Sequence, residues 1–291
     1  MKEENENKGF LLSQEYADRK TTDFLLGASG LTCIAEIPND DRIKYIPKGE
    51  RQNIGEEKMD CVARAFNNSL ETKFLYLLKN NLLPDTHVKF LKENGYITAN
   101  GVEFSDAFIA ILSGTTRQGN SLIRPIDTIH KVGLVPKNRL PQLDSFEAYH
   151  NPARIVPTIK KLGMKFLEYF AVSYERLSSD EFVEFMQRDS CVVGGYAWPT
   201  PVNGVYPRVN KAPTHAFLNL YLPAFNIFDN YEEIPDDYIK TLAADFSLTD
   251  FGYRVIVSLK HPPLPPEEMP IQTTLLALLK QLLYWLRLRK Y

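Results

Sequence analysis

The chain has 291 residues, of which 44% are hydrophobic and 24% charged, as in globular proteins that bury a sizeable core. The formal net charge of −2 argues against the broad positive surface of a nucleic-acid-binding protein, so we expect no nucleic-acid partner. The three cysteines are too few and odd in number for a disulfide framework, which favours a reducing compartment. No zinc-ligand spacing and no HExxH motif occurs, so we expect neither a metal nor an organic cofactor.

The order of the predicted elements indicates an α+β fold. Residues 1–37 are predicted to form an N-terminal arm, beginning with the polar stretch MKEENENKGF, which does not have the pattern of a secretory signal peptide. A helix begins near Asp60, a candidate N-cap, and its apolar residues recur at three- and four-residue spacing as far as Leu77. Further helices are predicted at 86–94, 104–112, 122–132, 153–170 and 178–188.

Short runs rich in β-branched and aromatic residues follow Ser190, separated by Pro, Gly and Asn. A domain of residues 38–260 is therefore expected, with a helical lobe at roughly 60–190 and an antiparallel sheet lobe at roughly 191–260. The predicted strands lie in CVVGGYAW, THAFLNLYL, AFNIFDNY and YRVIVSL.

The C-terminus has a different composition from the rest of the chain. Residues 261–270 form a Pro-rich linker, and residues 271–291 are predicted to form a separate amphipathic helix rich in leucine. Lys280, Gln281 and Arg287 interrupt its apolar face, so it is a poor candidate for a membrane span. Docking on a protein assembly or a membrane surface, and packing back on the domain, both remain open.

Three local sequences carry the chemistry of a thiol hydrolase. Cys61 in MDCVARAF begins a helix, where backbone N–H groups and the helix dipole favour a thiolate. His215 in APTHAFLNLYL enters an apolar strand and can act as the base, and Asp229 in FNIFDNY can orient the imidazole. The separation of 14 positions from His215 to Asp229 suits a hairpin that brings both side chains to one end of a sheet.

In residue order and local context, these segments resemble papain-like cysteine peptidases. The resemblance implies a two-lobed fold, a polypeptide substrate, and a Cys61–His215–Asp229 triad in which Asp229 stands at the family's asparagine position. Further segments resemble divergent papain-like proteins of phages and uncultured bacteria, which makes a virion-associated role one expectation and the cytoplasm or a virus particle the expected location. These segments are YIPKGERQNIGEEKMDC, FLLGASG, SGTTRQGNSL, VGLVP, YAWPTPVNGVYPR and FGYRVIVSL.

The same resemblance implies roles for residues around the triad. Gln52, nine residues before the cysteine, and the Cys61 backbone N–H would form the oxyanion hole. Gly119 and Asn120 would line the substrate cleft, and Tyr231 would take the place of the family's shielding tryptophan. Asp60 departs from what a thiolate needs, because a carboxylate beside the thiol disfavours its ionisation unless it points away.

Two other functions remain open at this stage. A cell-wall amidase or endopeptidase also places a cysteine on an early helix and a histidine on a later strand. Alternatively, a catalytically silent papain-like fold could serve as a structural or attachment protein of a virus particle, with helix 271–291 docked into the assembly.

Overall fold

The computed structural model describes residues 9–18, 29–48, 51–196, 201–208, 211–221, 226–230, 238–246 and 248–260. The predicted linker 261–270, the predicted helix 271–291 and Tyr231 lie outside the described residues.

The helices lie mainly in the first two thirds of the chain. Short 3-10 helices occur at Asn39–Tyr45, Lys137–Arg139 and Pro152–Arg154. The α-helices of the described residues are α1 (Leu12–Asp18), α2 (Cys61–Lys79), α3 (Asp85–Glu93), α4 (Asp106–Leu112), α5 (Ile123–Val132), α6 (Phe146–Tyr149), α7 (Pro157–Tyr169) and α8 (Ser179–Arg188).

Helix α2 is buried on nearly every side over its first four turns. Val62, Phe66, Leu70 and Phe74 recur every four residues and are fully buried, which explains the periodicity in the sequence. The polar residues on its other faces are also buried, and Lys73 forms an ion pair with the buried Asp189. Such a helix needs neighbours all round it, and α2 contacts α4 and α5 on the helical side and three strands of the sheet, defined below.

The strands form one large sheet and one small hairpin. They are β1 (Ile97–Thr98), β2 (Gly101–Val102), β3 (Phe170–Ser178), β4 (Cys191–Gly195), β5 (Val205–Tyr206), β6 (His215–Tyr221), β7 (Asn226–Phe228), β8 (Ile239–Leu242) and β9 (Leu248–Leu259). Strands β1 and β2 pair with each other, and the large sheet has the order β3-β9-β4-β6-β7-β8-β5. All its pairs are antiparallel except β5 with β8. Within the large sheet, α2 packs against β4, β6 and β9.

Strand β3 is an element that the sequence analysis did not predict. Its charged residues Glu175 and Arg176 are unusual for a mostly buried strand and hide the strand pattern. Glu175 is tolerated because it lies directly opposite Arg254 of β9, and the two charges are 3.4 Å apart. That partner lies 79 residues away in the chain, so local sequence gives no sign of it.

The predicted α+β class is confirmed for the described residues: most helices precede a sheet dominated by antiparallel pairs, although β3 comes before α8. Strand β6 lies between β4 and β7, and α2 packs against it. Because β6 and β7 are antiparallel, with Leu218 opposite Phe228, the first residue of β6 and the last residue of β7 lie at the same end of the sheet.

Candidate active site

Cys61 is the first residue of α2 and is 2% exposed. Burial raises the pKa of its thiol well above the ordinary value, although a hydrogen bond with the backbone of Ala216 acts in the opposite direction. The carboxylates of Asp60, Glu57 and Asp229 add to the rise. The contact with Ala216 places the thiol beside the residue that follows His215.

Asp60 occupies the predicted N-cap position of α2, but its side chain makes no capping hydrogen bond. Its carboxylate accepts from Arg64 Nε at 3.0 Å and from the hydroxyl of Tyr149. Arg64 in turn lies 3.1 Å from Asp106. The carboxylate beside the cysteine is therefore paired with a buried cation, which offsets part of its effect on the thiol.

His215 begins β6, and Asp229 directly follows β7. His215 Nε2 lies 2.6 Å from Asp229 Oδ1, and both side chains are at most 1% exposed. An ionised carboxylate can only accept, so Nε2 carries the hydrogen and Nδ1 is the ring nitrogen that can take a proton. The second oxygen of Asp229 accepts from Lys240 Nζ of β8, also at 2.6 Å.

Asp229 remains ionised despite its burial. Burial by itself raises the pKa of this carboxyl, but Lys240 and His215 together bring it below its ordinary value. The imidazole is thus held by a charged partner rather than a neutral one.

Gln52 is fully buried, and hydrogen bonds tie it to both sides of the site. Its backbone N–H donates to the carbonyl of Asn230 at 2.8 Å, next to Asp229. Its side-chain amide donates to Glu57 Oε1 at 2.5 Å, and the same oxygen accepts from Met59 N at 3.0 Å, two residues before Cys61. The loop that carries Gln52 is therefore closed onto the start of α2.

The ammonium of Lys58 holds this loop in shape. Its Nζ donates to three backbone carbonyls, including those of Ile54 at 2.7 Å and Asp144 at 2.5 Å, and the residue is fully buried. Three carbonyl acceptors satisfy all three ammonium donors, which lets a lysine be buried here.

Gly119 and Asn120 lie against the chain's own N-terminal segment. Gly119 has φ +108°, and a Cβ there would come within 2.2 Å of the carbonyl oxygen of Gly9. Asn120 N donates to Gly9 O at 2.9 Å, and Leu11 N donates to Asn120 O at 2.9 Å. Phe10 N donates to Thr214 O at 3.1 Å, directly before His215.

The residues 9–18 that make these contacts, here called the N-terminal segment, are anchored further along by acidic side chains. Glu15 of α1 is fully buried and accepts from Tyr253 Oη at 2.6 Å and from Ile123 N at 3.0 Å. Asp18 forms an ion pair with Arg124 at 2.6 Å. At the other end, a Cβ on Gly9 would lie 2.5 Å from the carbonyl oxygen of Met59.

Solved structures of cysteine proteases have a fold similar to that of this chain. Xylellain, a cysteine protease from Xylella fastidiosa, superposes with a TM-score of 0.54 at 15% identity over 89% of this chain and 98% of its own. The ragweed pollen cysteine protease Amb a 11, in its proform, gives 0.53 at 10% identity over 88% of this chain and 75% of its own. Procathepsin L2 from the Tenebrio molitor larval midgut gives 0.50 at 12% identity, covering 88% and 78% respectively.

The chain has the papain-like cysteine-protease fold. No family model matches the sequence, and no curated protein is significantly similar to it. At these identities the likeness concerns the fold, so the roles of individual residues depend on the geometry above.

Within this papain-like fold, His215, Asp229 and the cysteine-bearing start of α2 come together, and the hydrogen bonds of Gln52 link it to both sides. Gly119 and Asn120 contact the N-terminal segment, while Tyr231 lies outside the described residues. Sequence reasoning missed Lys240 and Glu57. Lys240 shares the buried side of β8 with Leu242, but a strand of four residues leaves too little pattern in the sequence to reveal it.

Among the described residues, no cluster of His, Cys, Asp and Glu has the arrangement of a metal site. None of the helices in the described ranges is both long and apolar enough to cross a membrane.

Proposed function

We propose that the protein is a cysteine peptidase in which Cys61 is the nucleophile, His215 the base and Asp229 the residue that orients the imidazole. The observation that carries the proposal is the 2.6 Å contact between His215 Nε2 and Asp229, at the sheet edge where the Ala216 backbone meets Cys61. The papain-like fold supports it, because that fold brings a helix-borne cysteine to a strand-borne histidine.

In the proposed reaction, the Cys61 proton passes to Nδ1 of His215, and the thiolate attacks the carbonyl carbon of a peptide bond. The Gln52 amide and the Cys61 backbone N–H donate to the oxyanion that forms. As the C–N bond breaks, His215 returns the proton to the leaving amine. Water then cleaves the thioester with His215 as base, which releases the acid and restores the thiol.

Substrate access requires the N-terminal segment to move. Gly9, Phe10 and Leu11 occupy the backbone hydrogen-bonding groups of Asn120 and Thr214, beside His215. We take these same groups to be the ones that hold the backbone of a substrate peptide, because they already hold an extended peptide. In this closed arrangement the protonated thiol of Cys61 is favoured, as its raised pKa indicates.

The test is product analysis with two substrates. The wild-type chain and Cys61→Ala are each incubated with an unfolded polypeptide and with peptidoglycan, and new termini are identified by mass spectrometry. The proposal predicts new polypeptide termini with the wild type and none with Cys61→Ala. Cleavage of peptidoglycan alone would instead identify a cell-wall amidase or endopeptidase, and the absence of any Cys61-dependent product would favour a silent structural protein.

For the biological setting we propose a virus particle, with residues 261–291 as the docking element. Its support is the sequence resemblance to phage-encoded papain-like proteins and the leucine-rich composition of that segment. Deletion of residues 261–291 should abolish association with an assembly or with vesicles and leave peptidase activity intact. Unchanged association after the deletion would contradict the docking role.

A further inference from the structure

The carboxylate of Asp229 is shared between two buried partners. Oδ1 binds His215 Nε2 and Oδ2 binds Lys240 Nζ, each at 2.6 Å. All three side chains are at most 1% exposed. The imidazole therefore interacts with a carboxylate–ammonium pair rather than with an isolated carboxylate.

The sheet itself places Lys240 at this position. In the β7–β8 register, Lys240 lies opposite Ile227, and the Asp229 N–H donates to Tyr238 O at 2.9 Å, which keeps the two strands paired up to the site. The ammonium also lies 5.8 Å from the ring centroid of Tyr206 on β5. Here the carboxylate of Asp229 compensates for the cost of burying the ammonium, because desolvation of an unpaired charge is unfavourable.

The charge of that pair decides how firmly His215 holds its proton. A lone buried carboxylate beside the ring would stabilise the imidazolium and oppose a nearby thiolate. A general acid that holds its proton too firmly is slow to give it to the leaving amine. An ammonium bound to the second carboxylate oxygen offsets most of this stabilisation of the imidazolium. The first oxygen remains a strong acceptor for Nε2–H.

We propose that Lys240 is a positioning residue that binds Asp229 and balances its charge, so that His215 is oriented by a carboxylate yet can release its proton. The proposal rests on the peptidase function above and extends it to a residue outside the triad. It accounts for an aspartate standing where the resemblance places an asparagine, because the Asp229–Lys240 pair is neutral, as an asparagine is.

Several other charged groups act near the thiol, and they stay constant in the test below. From the loop before α2, Asp60 and Glu57 act on Cys61, with Asp60 bound to Arg64 and Glu57 bound to Gln52. Among the described residues, the strands contribute His215, Asp229 and Lys240.

The test follows the rate of Cys61 alkylation by iodoacetamide as a function of pH in the full chain. Site-specific mass spectrometry separates Cys61 from Cys33 and Cys191. The four proteins are the wild type, Lys240→Met, Asp229→Asn and the double variant. This readout needs no knowledge of the substrate, and a purely structural lysine would not move its pH dependence.

Lys240→Met should move the pH range of enhanced Cys61 reactivity upward by about one unit, because the carboxylate is no longer balanced. Asp229→Asn should move it downward by about the same amount, since the ammonium is then unbalanced. The double variant should return close to the wild-type range, because the site is neutral again. If Cys61 of Lys240→Met showed enhanced reactivity over the same pH range as in the wild type, the proposal would be overturned.

The comparison between Asp229→Asn and the double variant keeps the proposal testable if Lys240→Met does not fold. Removal of the lysine in the Asp229→Asn background must move the range back upward, and identical profiles would overturn the proposal. Thermal unfolding of the same proteins should show the double variant to be more stable than Asp229→Asn, whose lysine is buried without its carboxylate.

Failure of the peptidase proposal would look different. A wild-type Cys61 that reacts no faster than in His215→Ala at any pH overturns the catalytic pair itself. If Cys61 of the wild type shows enhanced reactivity, but Lys240→Met leaves the pH range of that reactivity unchanged, only the role of Lys240 is overturned.

Discussion

In the proposed reaction, Gln52 donates to a negative charge that exists only while the peptide bond is being cleaved. Its backbone is tied to Asn230 and its amide to Glu57, so the amide cannot turn away. The amide carries two hydrogens, and one of them donates to Glu57. We expect the amide to donate to the oxyanion as well when that charge forms.

Gln52→Ala should therefore lower the kcat of peptide hydrolysis by about 10²- to 10³-fold, the effect of removing one oxyanion-hole donor. Alkylation of Cys61 by iodoacetamide forms no oxyanion, so its rate should stay within about twofold of wild type. The matched control is Gln187→Ala, on the exposed face of α8, which should leave both rates unchanged. An equal loss in both assays would show that Gln52 acts on the thiol instead.

Asp229 should also make stability depend on acid pH. Its pKa lies below the ordinary value of 3.8, because Lys240 and His215 outweigh the effect of burial. A depressed carboxyl pKa contributes stability above the unfolded value, and that stability is lost as pH falls through the folded value. The free energy of unfolding should thus fall below about pH 4 more steeply in the wild type than in the Asp229→Asn/Lys240→Met double variant. If urea titrations showed the free energy of unfolding falling equally with pH in the wild type and the double variant, this contribution of Asp229 to stability would be contradicted.

At the scale of elements, the N-terminal segment is bound to the rest of the domain at two places. One end is bound by backbone hydrogen bonds to Asn120 and Thr214, and the other by the buried carboxylate of Glu15. A charge-assisted hydrogen bond contributes roughly 1.5–3 kcal/mol, so weakening Glu15 should favour the open state.

Glu15→Gln is expected to speed Cys61 alkylation about tenfold, which corresponds to about 1.4 kcal/mol of lost closure energy. The variant keeps the shape of the side chain and removes its charge. Glu93→Gln, an exposed residue of α3, serves as the matched control and should have no effect. If Glu15→Gln left the rate unchanged or slowed it, the segment would not control access to the thiol.

The sequence predicts the helices well and the strands less completely. Helix α2 is predicted because its apolar spacing reflects a buried face, and α5 and α8 begin and end within about one residue of prediction. Strand β3 was missed because Glu175 finds its partner Arg254 far along the chain. Helix α1 lies within the predicted N-terminal arm and is not predicted as a helix, since its buried Glu15 is satisfied by Tyr253 and Ile123, which local sequence cannot reveal.

Within the candidate site, Cys61, His215 and Asp229 could be picked out because each stands at an element boundary in a recognisable local context. Lys240 could not, because strand β8 is too short to be predicted, and only its pairing with β7 turns the lysine toward Asp229. The contacts of Gly119 were likewise hidden, as they depend on where residues 9–11 return to the domain.

At the scale of the whole molecule, the buried ion pair of Lys73 and Asp189 ties α2 to the turn between α8 and β4. Both side chains are at most 2% exposed, so removal of one partner leaves an unpaired buried charge. Lys73→Met should lower the free energy of unfolding by about 3–5 kcal/mol, as measured by urea denaturation. The double variant Lys73→Met/Asp189→Asn should recover a substantial part of the lost free energy of unfolding. Equal stability of Lys73→Met and the double variant would show that the two side chains are not coupled.

The measurement that tests the central claim most directly is labelling by an epoxide inhibitor of thiol peptidases, with the site read by mass spectrometry in wild type and His215→Ala. The account predicts rapid modification of Cys61 in the wild type and its loss in His215→Ala, because the imidazole creates the reactive thiolate. Slow modification of Cys61, equal to that of Cys33 and Cys191 and indifferent to His215, would contradict it and would mean that the papain-like fold here carries no activated thiol.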